Sequence, residues 1–403
     1  MTRTTTIKKM TIENRDYYCS YKFKYLKVDL VSNTTVNCHA AKPHAIDFSW
    51  LSNNAGNLFN TNTSVVERQQ MLDNQRNASC EENCWPLEDK GAISPRLWQQ
   101  GQIKTHTDIR TQPEVLELKL NDNCNLSCSY CCKEYSSAWR RDLASNGDYS
   151  VDTNDARYQL TDRDKIMMKV SQREVKDTKK FQVLMSEIKS FAPGLREIII
   201  TGGEPLLDNQ LFDLLDTVAN NSATINIFTG MGVELQRFQR VLNRIKEIPT
   251  ALITVSAECT DQFYEFNRYG SRWDNFLKRV QILKESGIDF RFSTAITNLT
   301  VFGLPSFIRQ FVDHRIGLIF VNQPNFMAPY VLDPDSKKII MQDIQSLPEH
   351  YQKQIAKSIQ ADPSEIQRQH TAEFLKEYAS RRSLDVSIYP PSFLEWLNTH
   401  VVQ

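Results

Sequence analysis

Three cysteines on one short stretch are the residues in this chain best suited to chemistry. Asn121-Asp-Asn-Cys124-Asn-Leu-Ser-Cys128-Ser-Tyr130-Cys131-Cys132 sets Cys124, Cys128 and Cys131 at C-x3-C-x2-C spacing, with an aromatic, Tyr130, just before the third. Three thiolates on one loop can hold three corners of a cubane iron–sulfur cluster, which normally takes four protein ligands. The fourth iron is then open, and an open metal position is where chemistry happens. A structural zinc knuckle also uses thiolates, but it needs four ligands and favours paired C-x2-C units. Buried, chemically idle cysteines are the plainest alternative. A second motif, Gly202-Gly203-Glu204-Pro205, lies further on. Its glycines let the backbone approach a ligand closely, and Glu204 can accept from an ammonium group. A plain strand-to-helix turn with an N-terminal acid would read the same way.

The surrounding elements say where these motifs sit. Val115 to Leu120 reads as a strand that runs into the cysteine loop. After it, helical stripes (Phe181, Leu184, Met185, Ile188, Phe191, and later Phe238, Val241, Leu242, Ile245) alternate with apolar strand runs at Glu197, Thr224, Ala251, Phe290 and Gly317. With the first strand this makes six β/α units, which predicts a parallel sheet covered by helices. Active-site residues belong at the C-terminal ends of such strands. Gly202 to Pro205 directly follows the second strand, Thr229-Gly-Met-Gly232 the third, and Ser256-Ala-Glu258 the fourth.

The cysteine spacing with its aromatic, on the loop after the first strand, resembles the signature of radical S-adenosylmethionine enzymes. Gly202-Gly203-Glu204-Pro205 resembles that family's second motif in the expected place. The resemblance implies an α/β fold with a partial (β/α)6, TIM-like barrel over about residues 112–325. It implies a 4Fe–4S cluster on Cys124, Cys128 and Cys131, beside Tyr130, that binds S-adenosyl-L-methionine. The same carry-over gives Gly202, Gly203, Glu204 and Pro205 the methionine amino group. Ser256 and Glu258 stand where the family often has Ser-x-Asp, so they are expected to reach the ribose or carboxylate of the cofactor, Glu258 with an arm longer by one methylene. Arg268, in Asn-Arg-Tyr-Gly-Ser, stands where relatives carry Arg-x-Gly, and its fork would suit the methionine carboxylate. A solvated helix-end arginine is the other reading of Arg268. Thr229 to Gly232 departs from the family's Thr-Asn-Gly and is assigned no ligand.

Residues 1–105 carry four further cysteines, Cys19, Cys38, Cys80 and Cys84, around a predicted hairpin (Tyr21 to Val31, then Val36 to Cys38) and a short helix with Val65, Val66, Met71 and Leu72. A region this short of apolar core usually needs a metal staple. Zinc in a closed four-thiolate site is one reading. Cys19, Cys38, the Arg68-to-Leu72 segment, Cys80-x3-Cys84-Trp85, Glu88, Gly91 and Ser94-Pro-Arg96 resemble the twitch module, a shortened SPASM domain with one auxiliary 4Fe–4S cluster. Such modules usually follow the radical domain; here the cysteines come first.

The stretch Ser136 to Lys176 is polar and aperiodic beyond Ser136-Ser137-Ala-Trp139, with Asn146, Gly147, Asp148, Asp152, Asn154 and Asp155, and is expected to be a lid or binding loop. Residues 326–403 are expected to be a helical extension that packs on the barrel, with Phe374 and Phe393 in closing helices. His314, His350, His370 and His400 lack partner spacing and are read as structural. No chemistry follows from Cys132 or Cys259.

Composition limits the remaining choices. The chain has 403 residues, 40% of them hydrophobic, and its 48 basic and 48 acidic residues cancel. That balance gives no bulk attraction to nucleic acid or membrane. The first ten residues lack an apolar h-region, and no apolar run approaches about 20 residues. Nine cysteines in a reducing compartment serve metals or catalysis, so the cytoplasm is the expected location. The resemblance implies an enzyme that cleaves S-adenosylmethionine reductively and abstracts a hydrogen from substrate, with a reductant such as flavodoxin or ferredoxin. A ribosomally made peptide, with a precursor-peptide-binding protein as a further partner, is the first substrate class. A small metabolite or sugar is the second. A non-enzymatic iron–sulfur electron carrier is the remaining class, and it would have no use for an amine-binding motif.

Overall fold

The computed structural model describes residues 16–91, 94–100, 108–151, 156–161, 164, 178–218 and 222–399. Its strands, in chain order, are β1 (Tyr25–Asp29), β2 (Thr34–Val36), β3 (His44–Ala45), β4 (Val115–Lys119), β5 (Ser127–Cys128) and β6 (Glu197–Thr201). They continue with β7 (Thr224–Thr229), β8 (Ala251–Ser256), β9 (Arg268–Tyr269), β10 (Asp289–Ile296) and β11 (Ile316–Phe320). Most of the longer pairings are parallel, and helices follow the strands: this is an α/β protein. The six strands expected from the apolar runs all form, as β4, β6, β7, β8, β10 and β11. The chain divides into two compact units, one of Met1–Leu120, Lys176–Thr201 and Asp213–Asn226, the other of Asn121–Val175, Gly202–Phe212 and Ile227–Gln403.

In the first unit the strand order is β6-β4-β1-β2-β3. The expected hairpin is present: Lys27 lies opposite Val36 and Asp29 opposite Thr34, around a turn in which Asn33 takes a left-handed φ of 54°. Asparagine tolerates that conformation because its short amide can bond locally. The hairpin does not stand apart from the strand before the cysteine loop. β1 pairs in parallel with β4, Tyr25 opposite Val115 through Asp29 opposite Lys119, and β4 pairs in parallel with β6. Leu26, Val28, Leu116, Leu118, Ile198 and Ile200 fill the buried positions. The helix Thr178–Phe191 buries Leu184, Met185, Ile188 and Phe191, as its periodicity predicts, and its Glu187 accepts from the backbone of Gly56 (2.7 Å) and Leu58 (2.9 Å). The helix Asn62–Leu72 forms, but it buries Ser64, Glu67, Arg68 and Met71 and leaves Val66 exposed. Its inward face is therefore half ionic.

In the second unit β8, β10 and β11 run parallel, with Asp289 opposite Leu252 and Phe292 opposite Ile316. The helix Leu235–Ile245 buries its predicted stripe, and the helix Trp273–Ser286 buries Trp273, Phe276, Val280 and Leu283. The polar stretch after the cysteine loop is partly regular: Ser136 caps the helix Ser137–Asn146 through Trp139 N, and Tyr149, Val151 and Tyr158 are buried. Asp152, Asn154, Asp155, most of the remainder to residue 176, and His400 lie outside the described residues. A capping box of Ser364 and Gln367 starts the helix Glu365–Arg382. Its Phe374 and Tyr378 join Trp139, Tyr149, Tyr158 and Phe326 in one aromatic cluster, and the Tyr378 hydroxyl donates to Ser127 O at 2.7 Å. The helix Glu365–Arg382 thus rests on the loop that carries the cysteines. No helix among the described residues is long and apolar enough to cross a membrane.

Candidate functional site

The cysteine loop is shaped by short-range bonds that its Asn and Ser residues supply. Asn121 Oδ1 accepts from Asn123 N (3.0 Å), Ser137 Oγ from Cys124 N (3.1 Å), and Cys128 O from Cys131 N (3.0 Å). Ser136 Oγ donates to Leu126 O at 2.7 Å, and the Trp139 indole donates to Cys128 O at 2.9 Å. Cys128 is buried, while Cys124 and Cys131 are half-buried. Burial pushes the Cys124 thiol up to about 12, helped by the neighbouring Cys128 and Glu204 charges. Cys131 is raised by burial and by Cys132, Cys128 and Cys124. Cys124, Cys128 and Cys131 all lie on this one loop. Cys132 is buried beside Cys131, and burial and then Glu134 push its thiol up to about 12. A pocket of about 460 Å³ lies beside the loop, lined by Tyr130, Cys131, Cys132, Glu134, Tyr135 and Arg157.

Gly202 to Pro205 is built against this loop. Gly203 N donates to Asn121 O (2.9 Å) and Glu204 N to Asn123 O (2.8 Å). A Cβ on Gly203 would stand 2.5 Å from the Asn123 carbonyl oxygen, and one on Gly202 would stand 2.8 Å from that of Asn121. Both positions require glycine because two backbones meet there. Glu204 is buried, and its carboxylate accepts from Thr229 Oγ1 (2.7 Å), Leu206 N (3.1 Å), Gly230 N (3.0 Å) and Gly232 N (3.4 Å). Burial nevertheless raises its pKa, against the pull of those donors. Thr229 to Gly232, given no ligand from the sequence, thus has a clear duty: it holds the acid that was expected to meet the cofactor. A Thr-Gly-x-Gly run at the end of a strand was the available signal.

The other cofactor candidates divide. β5 and β9 pair antiparallel with Cys128 opposite Arg268, which brings the guanidinium to the cysteine loop. Arg268 Nη1 donates to both oxygens of Glu258 (3.2 Å each) and to the Tyr130 hydroxyl. All of Arg268 is buried, so the solvated helix-end reading of this residue is excluded. Burial raises Glu258, and Arg268 opposes that rise. Tyr130, Glu258 and Arg268 are one connected set. Ser256 is half-buried at the end of β8 and is not drawn into it. Asn267, which the sequence did not single out, fixes the loop through Ser129 Oγ (2.7 Å) and Ser129 N (2.8 Å).

These residues fit the groups the resemblance implies. Cys128 lies opposite Arg268, a buried guanidinium whose Nε–H has no hydrogen-bond partner among the described residues, an unmet donor within the site. A Cβ on Gly230 would overlap Arg268 Nη2, so this glycine makes room for the guanidinium.

The second thiol set lies in the first unit. Cys19, Cys38, Cys80 and Cys84 are all buried. Burial pushes Cys19 up to about 12, with Cys38 and Cys80 adding to it, and pushes Cys80 up to about 11, with Cys84 and Cys38 adding. Trp85 sits between the guanidiniums of Arg76 (5.3 Å) and Arg96 (5.0 Å) and donates to Asn77 O at 2.8 Å. Arg96 pairs with Glu88 and donates to Tyr18 O at 2.8 Å, so the Ser94-Pro-Arg96 segment closes over the tryptophan. Among the described residues no three His, Cys, Asp or Glu side chains are gathered to clasp a single metal ion.

Residues 118–306 match the family model described as the Radical SAM superfamily. Solved structures that share features with the chain include native anSMEcpe with bound AdoMet, at 14% identity over 51% of this chain and 50% of that one, TM-score 0.34. Streptococcus suis SuiB bound to S-adenosylmethionine matches at 15% identity over 73% of this chain and 61% of that one, TM-score 0.35. SuiB bound to the precursor peptide SuiA matches at 12% identity over 91% and 71%, TM-score 0.36. The chain thus spans about half the length of anSMEcpe that it matches, and likeness at these scores carries no weight on substrate. A search of curated proteins gave no match.

Proposed function

We propose that this chain is a radical S-adenosylmethionine enzyme whose cluster is held by Cys124, Cys128 and Cys131. The observation that carries the reading is the joint between the two motifs: Gly203 and Glu204 are bonded to Asn121 and Asn123, next to the first cysteine. When bound, the cluster supplies the electron that splits the sulfonium of S-adenosylmethionine into methionine and a 5′-deoxyadenosyl radical. The chain's own residues hold and orient. Glu204, with Thr229, Gly230 and Gly232 behind it, offers a fixed carboxylate to the methionine ammonium. Arg268, braced by Glu258 and Tyr130, offers its free Nε–H to a carboxylate or to the sulfur side of the site. Ser256 remains a candidate for the ribose. The aromatic cluster braces the loop through the Trp139 indole on Cys128 O and the Tyr378 hydroxyl on Ser127 O.

Cys19, Cys38, Cys80 and Cys84 are proposed to hold an auxiliary cluster, fully ligated and suited to electron transfer. The proposed substrate is a ribosomally made peptide; its support is the resemblance of the four-thiol region to modules of peptide-modifying relatives. A flavodoxin or ferredoxin would deliver electrons, and a precursor-peptide-binding protein would present the substrate. A short precursor gene next door would supply the peptide to test.

Anaerobically reconstituted protein should carry about eight irons, four per cubane. Changing Cys124, Cys128 and Cys131 together to Ala should leave about half of that iron and abolish formation of 5′-deoxyadenosine. Continued 5′-deoxyadenosine formation by this variant would refute the assignment.

A further inference from the structure

Lys22 is an ammonium with no business in the interior on stability grounds. It is 1% exposed, in the short turn Ser20–Phe23 that begins right after Cys19. Its Nζ donates to Glu67 Oε2 at 2.5 Å and to Ser79 Oγ at 2.8 Å, and Ser79 is the neighbour of Cys80. Arg68 Nη1 holds the Lys22 carbonyl at 3.2 Å. A buried ion pair seldom stabilises a fold more than apolar side chains of the same volume would. An ammonium has three N–H donors; among the described residues two are taken, by Glu67 and Ser79. The pair is also placed by geometry: Lys22 N donates to Cys19 O at 3.2 Å, and the ammonium bridges Glu67 to Ser79, the residue before Cys80. The positive end is therefore the one that reaches the segment carrying Cys80.

We infer that Lys22 is a positioning residue, the built-in counter-charge of the four-thiol site, which raises the reduction potential of the cluster held there. The inference rests on the proposed auxiliary cluster. Each electron that a cluster takes from a reductant adds one negative charge to it, and net charge and hydrogen bonds at sulfur set such potentials. A fixed ammonium nearby favours the reduced state. That suits a site that accepts an electron from substrate rather than one that must drive a difficult reduction.

The test is a dithionite titration of the full-length chain, followed by electron paramagnetic resonance. Cys124, Cys128 and Cys131 are changed to Ala in this background, so that the second cluster is seen alone. Lys22→Met should lower the midpoint by at least the equivalent of a tenfold change in the one-electron equilibrium, about 59 mV. Glu67→Gln should raise it, because the ammonium loses its neutralising partner, and Lys22→Arg should stay near the parent. An intact cluster whose midpoint moves in neither Lys22→Met nor Glu67→Gln, or moves the same way in both, overturns the inference and leaves the auxiliary cluster standing. If Lys22→Met does not fold, Glu67→Gln decides alone: a rise supports the inference and no change overturns it. Zinc in place of iron in the parent would remove the auxiliary cluster itself and the inference with it.

Discussion

Cys131 and Cys132 are neighbours with different surroundings. Cys131 is half-buried and directly follows the aromatic Tyr130, and it is raised by burial and then by Cys132, Cys128 and Cys124, whereas Cys132 is buried beside Glu134. Cys131→Ala should therefore end turnover and release the site-bound iron, while Cys132→Ala should keep both. Intact turnover in Cys131→Ala would show that the register of the motif is wrong. Glu204 gives a pH prediction. Burial favours its neutral form, so on acidification it takes up a proton before an ordinary glutamic acid does. The carboxylate is the form that binds an ammonium, so affinity for S-adenosylmethionine should fall as pH drops from neutral toward the usual carboxylate range. Equilibrium dialysis across that range checks it, and Glu204→Gln should bind weakly with the pH dependence gone. At this scale the cysteines, Glu204 and Arg268 were legible, since their types and spacing are the signal. Thr229 was not: its partner lies 25 residues away, and a hydroxyl that steadies an acid leaves no periodic trace.

The loop and the glycine motif work as one element, and the contact between them is main chain on main chain. Gly203→Ala would push a methyl into the Asn123 carbonyl, 2.5 Å from the position of the new Cβ. Either the loop moves or the bond from Glu204 N to Asn123 O breaks, at a cost of about 1–3 kcal/mol for overpacking. The expected outcome is a lower melting temperature together with weakened iron retention; a variant that keeps both would mean the loop yields freely. Helices and buried strands were readable because apolar residues recur at 3.6 or run unbroken. The pairing of β1 with β4 was not readable. The two strands are far apart in sequence, and parallel register is not written in either one alone. The helix Asn62–Leu72 was found by its apolar residues but turned by its charges: Glu67 faces Lys22 and Arg68 reaches Asn60 Oδ1 (2.7 Å) and Ile109 O (2.7 Å), so Val66 is left outside.

Over the whole molecule, the two sets of thiols fall in different units, and each has its own chemistry to test. Every side chain assigned to S-adenosylmethionine belongs to Asn121–Val175, Gly202–Phe212 or Ile227–Gln403, and the four further cysteines belong to Met1–Leu120. Changing Cys80 and Cys84 to Ala should accordingly spare reductive cleavage, seen as 5′-deoxyadenosine released on reduction. It should remove the modified product, because the auxiliary site acts after substrate has lost its hydrogen. Metal contributes folding energy to a small thiol-rich region, so circular dichroism and a melting curve must first show the variant folded. The thiols of the metal-free chain point the same way. With burial raising Cys19 to about 12 and Cys80 to about 11, folding keeps them protonated. Metal must displace those protons, and uptake by the first unit should tighten as pH rises. Elemental analysis closes the question. Zinc in the first unit, with only about four irons per chain, would leave Cys19, Cys38, Cys80 and Cys84 as a structural staple. Product formation by the Cys80→Ala, Cys84→Ala chain would remove electron transfer from their duties.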